Sequence, residues 1–146
     1  KIKMKNLIVS LLLSLVTSFS FGQSKEMKER KLMKQNVVKA VDYLTASLKL
    51  DAKQKSICMN AFSEYGDNIY KAKQKVNDKI SKKTPNKDRN ELAAKREMQA
   101  HVLRFVAKRN KMIQSCLKER QLKKFNQIVH NINPHTLEVR PKKKKK

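Results

Sequence analysis

The chain has 146 residues and carries 36 Lys plus Arg against 12 Asp plus Glu, a formal net charge of +24. Two glycines, three prolines and no tryptophan argue against a turn-rich β-sandwich, a glycine-rich phosphate-binding fold and an aromatic stacking platform. With 39% hydrophobic residues, the composition suits one all-helical domain with narrow apolar stripes.

The first segment reads as an export leader. Lys1, Lys3 and Lys5 open it, an apolar run from Leu7 to Val16 follows, and Ser20-Phe21-Gly22 places small residues for a cut before Gln23. Leu7 to Phe21 is 15 residues, short of the roughly 20 that span a bilayer. A leader over 1–22 removes three cations and no acid, so +24 falls to +21. In the cytosol such a charge points to nucleic acid. Outside the inner membrane the available anions are lipid headgroups and acidic patches on unfolded polypeptides, so nucleic acid is not the expected partner.

Four helices are predicted over 23–133. The first runs from about Glu26 to Leu48 with Met33, Val37, Val41, Leu44 and Leu48 in steps of three and four. Asp51 begins the second, whose stripe is Cys58, Ala61, Tyr65, Ile69, Ala72, Val76 and Ile80. Thr84-Pro85 supplies a cap and a first helical residue for the third helix, which extends to about Ser115. Its stripe is Met98, Val102, Phe105, Met112 and Cys116, interrupted by Arg109. The fourth covers about Lys118 to Asn131, with Leu122, Phe125, Val129 and Ile132 inward. Residues 134–146, ending in Lys142 to Lys146, read as a disordered basic tail that offers an anionic membrane surface a contact. The second and third helices form a long antiparallel hairpin too thin to make a large core alone, which points to a second copy of the chain.

Two segments look alike. Leu50-Asp51-Ala52-Lys53-Gln54 opens the second helix and Leu117-Lys118-Glu119-Arg120-Gln121 the fourth. Each is a helix start in which Gln at the third position reaches back to the cap backbone; Asp51 is a good cap and Lys118 a poor one. On these two copies, the leader and the helical chain between them, the sequence resembles the Spy/CpxP family of periplasmic proteins, which carry a repeated Leu-Thr-x-x-Gln motif. Leu50, Gln54, Leu117 and Gln121 match; Asp51 and Lys118 replace both threonines. The resemblance implies a thin helical hairpin dimer in the Gram-negative periplasm. It implies an ATP-independent holding chaperone with no cofactor, or alternatively an envelope-stress sensor docking on a membrane receptor.

Cys58 and Cys116 flank the two motif copies. In an antiparallel hairpin they pair about position 87, roughly one turn from the expected loop centre. An oxidising compartment favours an intramolecular bond, the alternatives being a bond between protomers and two free thiols. His101, His130 and His135 lack metal-ligand spacing, and no nucleophile–base set or clustered carboxylates suggest catalysis. Apolar residues off the stripes, with interleaved cations, are the candidate client surface: Met59, Phe62, Tyr70, Lys71, Lys75, Arg96, Leu103 and Arg104.

Overall fold

The computed structural model describes the backbone of residues 2–81 and 87–140, and side chains over 25–80 and 90–140. The expected Thr84-Pro85 cap and the Lys142 to Lys146 run lie outside the described residues. The chain is all-helical: α1 (Ile2–Leu48), α2 (Ala52–Ser81), α3 (Lys87–Gln114) and α4 (Glu119–Ile128), the last continuing into a 3-10 turn, Val129–Asn131. Among the described residues there is no strand, only an isolated antiparallel bridge between Ile132 and Val139.

Two compact units divide the chain at residues 32 and 33. The first holds the N-terminal part of α1. Its backbone is helical from Ile2 rather than from about Glu26, because residues 2–25 contain no proline and Gly22 alone costs about 1 kcal/mol. The side chains of residues 25–32 are exposed. Among the described residues no helix is long and apolar enough to cross a membrane.

In the second unit the predicted stripes become the core. Val37, Val41, Leu44 and Leu48 of α1 are buried, as are Cys58, Ala61, Tyr65 and Ile69 of α2, Val102 of α3 and Phe125 of α4. On α3 the stripe rotates after the arginine, so Ile113 is fully buried while Met112 is exposed. Gly66 marks the close approach of α1 to α2: a Cβ there would lie 3.3 Å from Met33 Cγ. Each stripe buries apolar surface at about 25 cal/mol per Å², the main favourable contribution to the fold.

The turn from α1 to α2 is set locally. Lys49 sits at φ 53°, in the left-handed region, and Leu50 N–H donates to Thr45 C=O at 3.2 Å. This six-to-one bond ends α1 as a Schellman motif, with lysine where glycine is usual. Asp51 then caps α2, accepting from Gln54 N–H at 2.9 Å.

Helices α2 and α3 pack side by side and run antiparallel. Lys79–Glu97 and Glu64–Lys108 form ion pairs across the seam, symmetric about positions 86 to 88. That is the centre about which Cys58 and Cys116 pair, so the register has no one-turn offset. At 1.5 Å per residue, the 30 residues of α2 extend about 45 Å.

Residues 134–140 are not a free tail. Leu137 is fully buried, Asn133 N–H donates to Glu138 C=O at 2.9 Å, and Arg140 N–H donates to Asn131 C=O at 2.8 Å. Tyr65 Oη donates to Pro134 C=O, and Asn36 Nδ2 donates to Thr136 C=O at 2.8 Å. The expected boundary after residue 133 is therefore too early. A charge-rich sequence with a single leucine hides a strap that closes on α1 and α2, because its backbone carbonyls supply the bonds.

Candidate functional site

The two motif copies meet. Gln54 closes a reciprocal capping box on α2: its Oε1 accepts from Asp51 N–H at 3.2 Å while Asp51 Oδ1 accepts from Gln54 N–H. On α4 half of the box forms. Gln121 Oε1 accepts from Lys118 N–H at 3.0 Å, whereas the lysine ammonium has no lone pair for the backbone. The two amides also bind one another. Gln54 Nε2 donates to Gln121 Oε1 at 2.9 Å, and Gln121 Nε2 donates to Gln54 Oε1 at 3.1 Å. Their remaining hydrogens go to Cys116 C=O at 2.8 Å and Leu48 C=O at 3.2 Å. One pair of glutamines thus joins the end of α1, the start of α2, the end of α3 and the start of α4. Carbonyls at helix C-termini lack partners within their own helix, and these amides satisfy one of them, Leu48 C=O, together with Cys116 C=O in the turn after α3.

Comparison of the chain with family models, curated proteins and solved structures returns no match.

Beside this latch lie the cysteines, and both are thiols in the structure. The intramolecular bond expected from an oxidising compartment is not made, although the observed register sets the two cysteines opposite one another. Cys58 is fully buried, and Cys116 directs its Sγ to Ile113 C=O at 3.1 Å. Burial, with a smaller contribution from the nearby Cys116, pushes the Cys58 thiol up to about 12. Burial also raises Cys116. A raised folded pKa gives stability that is present below the unfolded pKa of about 8.5 and lost as pH rises toward 12. Above about pH 9, wild type is therefore expected to lose stability relative to Cys58→Ala by up to ~1.4 kcal/mol per pH unit. Urea unfolding of both proteins at a series of alkaline pH values measures this, and parallel curves would remove the thiol as the cause.

The proposed client residues divide by burial. Lys71, Lys75, Arg96, Leu103 and Arg104 are exposed, Met59 and Tyr70 half-buried. Phe62 is a correction: it is fully buried at the hairpin seam, where it supports a guanidinium rather than facing solvent. Leu92, Arg96 and Leu103 follow one outward stripe of α3, with Leu92 51% and Leu103 62% exposed. Arg104 lies over the Phe105 ring at 4.8 Å. Toward the hairpin turn an open groove of about 290 Å³ runs between α2 and α3, lined by Val76, Ile80, Ala94 and Met98, with Lys73 and Lys95 also in its lining. The pattern is apolar contact interleaved with positive charge.

Arg109 interrupts its stripe and nonetheless goes inside, only 4% exposed. Its guanidinium lies over the Phe62 and Tyr65 rings at 4.7 and 4.9 Å. Nε and Nη2 donate to Asn110 Oδ1 at 3.0 and 2.8 Å, while Nη1 is buried without a hydrogen-bond partner among the described residues. Desolvation lowers it to about 10, so it remains charged at neutral pH. The sequence signal for this residue was a cation at a core position; its aromatic support was not visible in spacing. His101 stacks on Phe105 with 5.8 Å between centroids and approaches Glu97 at 3.8 Å.

Proposed function

We propose that this chain is an ATP-independent holding chaperone of the Spy/CpxP type, exported through its 1–22 leader to the periplasm and acting as a dimer of helical hairpins. It holds unfolded or folding polypeptides on a basic, partly apolar helical surface and uses no cofactor. The observation that carries the reading is the exposed face of α3, where Leu92 and Leu103 stand 51% and 62% exposed among arginines and lysines. Positive charge speeds capture of acidic stretches, and separate apolar side chains give weak contacts that release readily. The latch formed by Gln54 and Gln121 supports the family resemblance, since it gives both motif copies one shared structural task.

Light scattering of a chemically denatured client, diluted with and without the purified protein, tests this. Stoichiometric protein is expected to slow aggregation. Leu92→Ser with Leu103→Ser is expected to weaken that protection several-fold without lowering stability, because both side chains already face solvent. Protection should also fall with added salt as the charge attraction is screened. No delay of aggregation for any client would sink the proposal.

A further inference from the structure

We propose that the outer face of α4, with the strap beside it, is a docking surface for an anionic phospholipid membrane. Phe125 points into the core and is fully buried, with Leu122 and Ile128 half-buried to either side. At about 100° per residue, Arg120 and Lys123 fall opposite Phe125, and Lys124 flanks them. All three cations are exposed. The strap extends this face. Arg140 N–H donates to Asn131 C=O at 2.8 Å, and Ile132 bridges Val139. The chain therefore leaves the described residues beside the C-terminal end of α4, and Pro141 and Lys142 to Lys146 come next in the sequence. From Lys118 to Lys146 there are ten cations against two acids, a net +8 out of the chain's +24, so the positive charge is concentrated here.

Helix stability does not account for these cations. Lys118 holds the N-cap, where an oxygen side chain would accept a backbone N–H and an ammonium cannot. Arg120 lies in the first turn, where the helix dipole favours acids. Lys123 pairs with Glu119 at 2.8 Å, but the two side chains are 75% and 81% exposed, so the pair is weak and gives way to other anions. A bilayer fits this face better than nucleic acid does. Eight of the ten cations are lysines, diffuse charges rather than forks for bases and phosphates. The one ring of α4 that could stack on a base, Phe125, is inside. Because the apolar side of α4 is committed to the core, attachment is electrostatic and the helix does not insert. Each Lys or Arg brought to an anionic leaflet raises affinity about fivefold. The inference stands whether or not the chain holds unfolded polypeptides.

The test is co-sedimentation of the full chain with vesicles of equal parts phosphatidylglycerol and phosphatidylcholine, against vesicles of phosphatidylcholine alone. The neutral vesicles measure any attachment through the apolar run from Leu7 to Val16. Wild type is expected to bind the anionic vesicles about tenfold or more tightly than the neutral ones, and to lose that excess in high salt. Arg120→Gln with Lys123→Gln and Lys124→Gln is expected to weaken anionic binding about tenfold or more while leaving the fold intact, since all three side chains face solvent. Lys28→Gln with Lys31→Gln and Lys34→Gln removes the same charge from exposed positions of α1 and is expected to weaken it less than about threefold. Equal losses in the two triple variants would mean that net charge alone acts, and would overturn the proposal. A wild type without preference for anionic vesicles overturns it too, as does complete transfer from them to a duplex oligonucleotide at equal phosphate concentration.

Discussion

Leu137→Ala is expected to lower the stability of the second unit by about 3 kcal/mol and its Tm by about 10 °C or more. The side chain is fully buried and belongs to the same core as Leu44, Tyr65 and Phe125. Its backbone adds a second, separable contribution. Leu137 stands at φ 59°, in the left-handed region, where a branched residue costs about 1–2 kcal/mol relative to its ordinary conformation. The strap holds it there through Leu137 N–H, which donates to Asn133 C=O at 2.8 Å. Leu137→Gly therefore loses the same buried side chain but relieves the strain, and is expected to be about 1 kcal/mol less damaging than alanine. That order reverses the usual one at ordinary backbone positions. Paired urea melts of the two variants decide it: glycine worse than alanine would mean that the left-handed geometry is not held in solution.

Removing residues 134–146 is expected to cost more than either substitution. It deletes Leu137 and also the Pro134 and Thr136 carbonyls that accept from Tyr65 Oη and Asn36 Nδ2. Tyr65 is 2% exposed and Asn36 3% with the strap in place, so its removal withdraws both hydrogen bonds, at about 1 kcal/mol each, and also opens the core that Leu137 fills. Set against the about 5–15 kcal/mol that a domain of this size holds, that loss is large enough to melt the unit. The strap is a late addition in chain order that the earlier helices require.

Helical periodicity made the core legible because it is a local property of each segment. Steps of three and four placed Val37, Val41, Leu44, Cys58, Tyr65, Ile69 and Phe125 inward, and all are buried. Local capping was equally readable: Asp51 caps as expected, and Lys118 leaves its half of the box empty because an ammonium cannot accept. What sequence spacing did not yield are interactions between groups distant in the chain. Phe62 stands four residues after Cys58 and three before Tyr65, so it shares their inward face and core, but the guanidinium that Arg109 brings over its ring from α3 has no local signal. Leu137 has no periodic neighbours at all, since the strap is held by backbone bonds that any sequence could make. The contact of Gln54 with Gln121 was within reach, because the two are symmetric about nearly the same centre as the cysteines. Reading each glutamine as a complete capping group hid it: a cap uses only the amide oxygen and leaves two N–H donors to be placed.

Those donors give the second large effect. Gln54→Ala is expected to cost about 2–4 kcal/mol, since Gln54 is 5% exposed and its loss strands Cys116 C=O, Asp51 N–H and the Gln121 amide. Gln121→Ala is expected to cost less, because its partners lie nearer to solvent, and the two changes together should fall short of their sum by about 1–2 kcal/mol. A parallel cycle of Gln54→Ala with Lys79→Ala, at the opposite end of α2, should be additive within about 0.5 kcal/mol. Gln54→Glu sharpens the argument. It keeps the shape but replaces the donor with a second acceptor facing Gln121 Oε1 and Cys116 C=O. Burial and those two oxygens disfavour its charged form, so the folded pKa rises above the unfolded value of about 4.3. Its stability is then highest at acidic pH, where the protonated carboxyl can again donate, and falls as pH rises through the folded value. Urea melts at acidic and neutral pH measure this against wild type. A Gln54→Glu protein as stable at neutral pH as in acid would mean that the glutamines do not join the four helix ends.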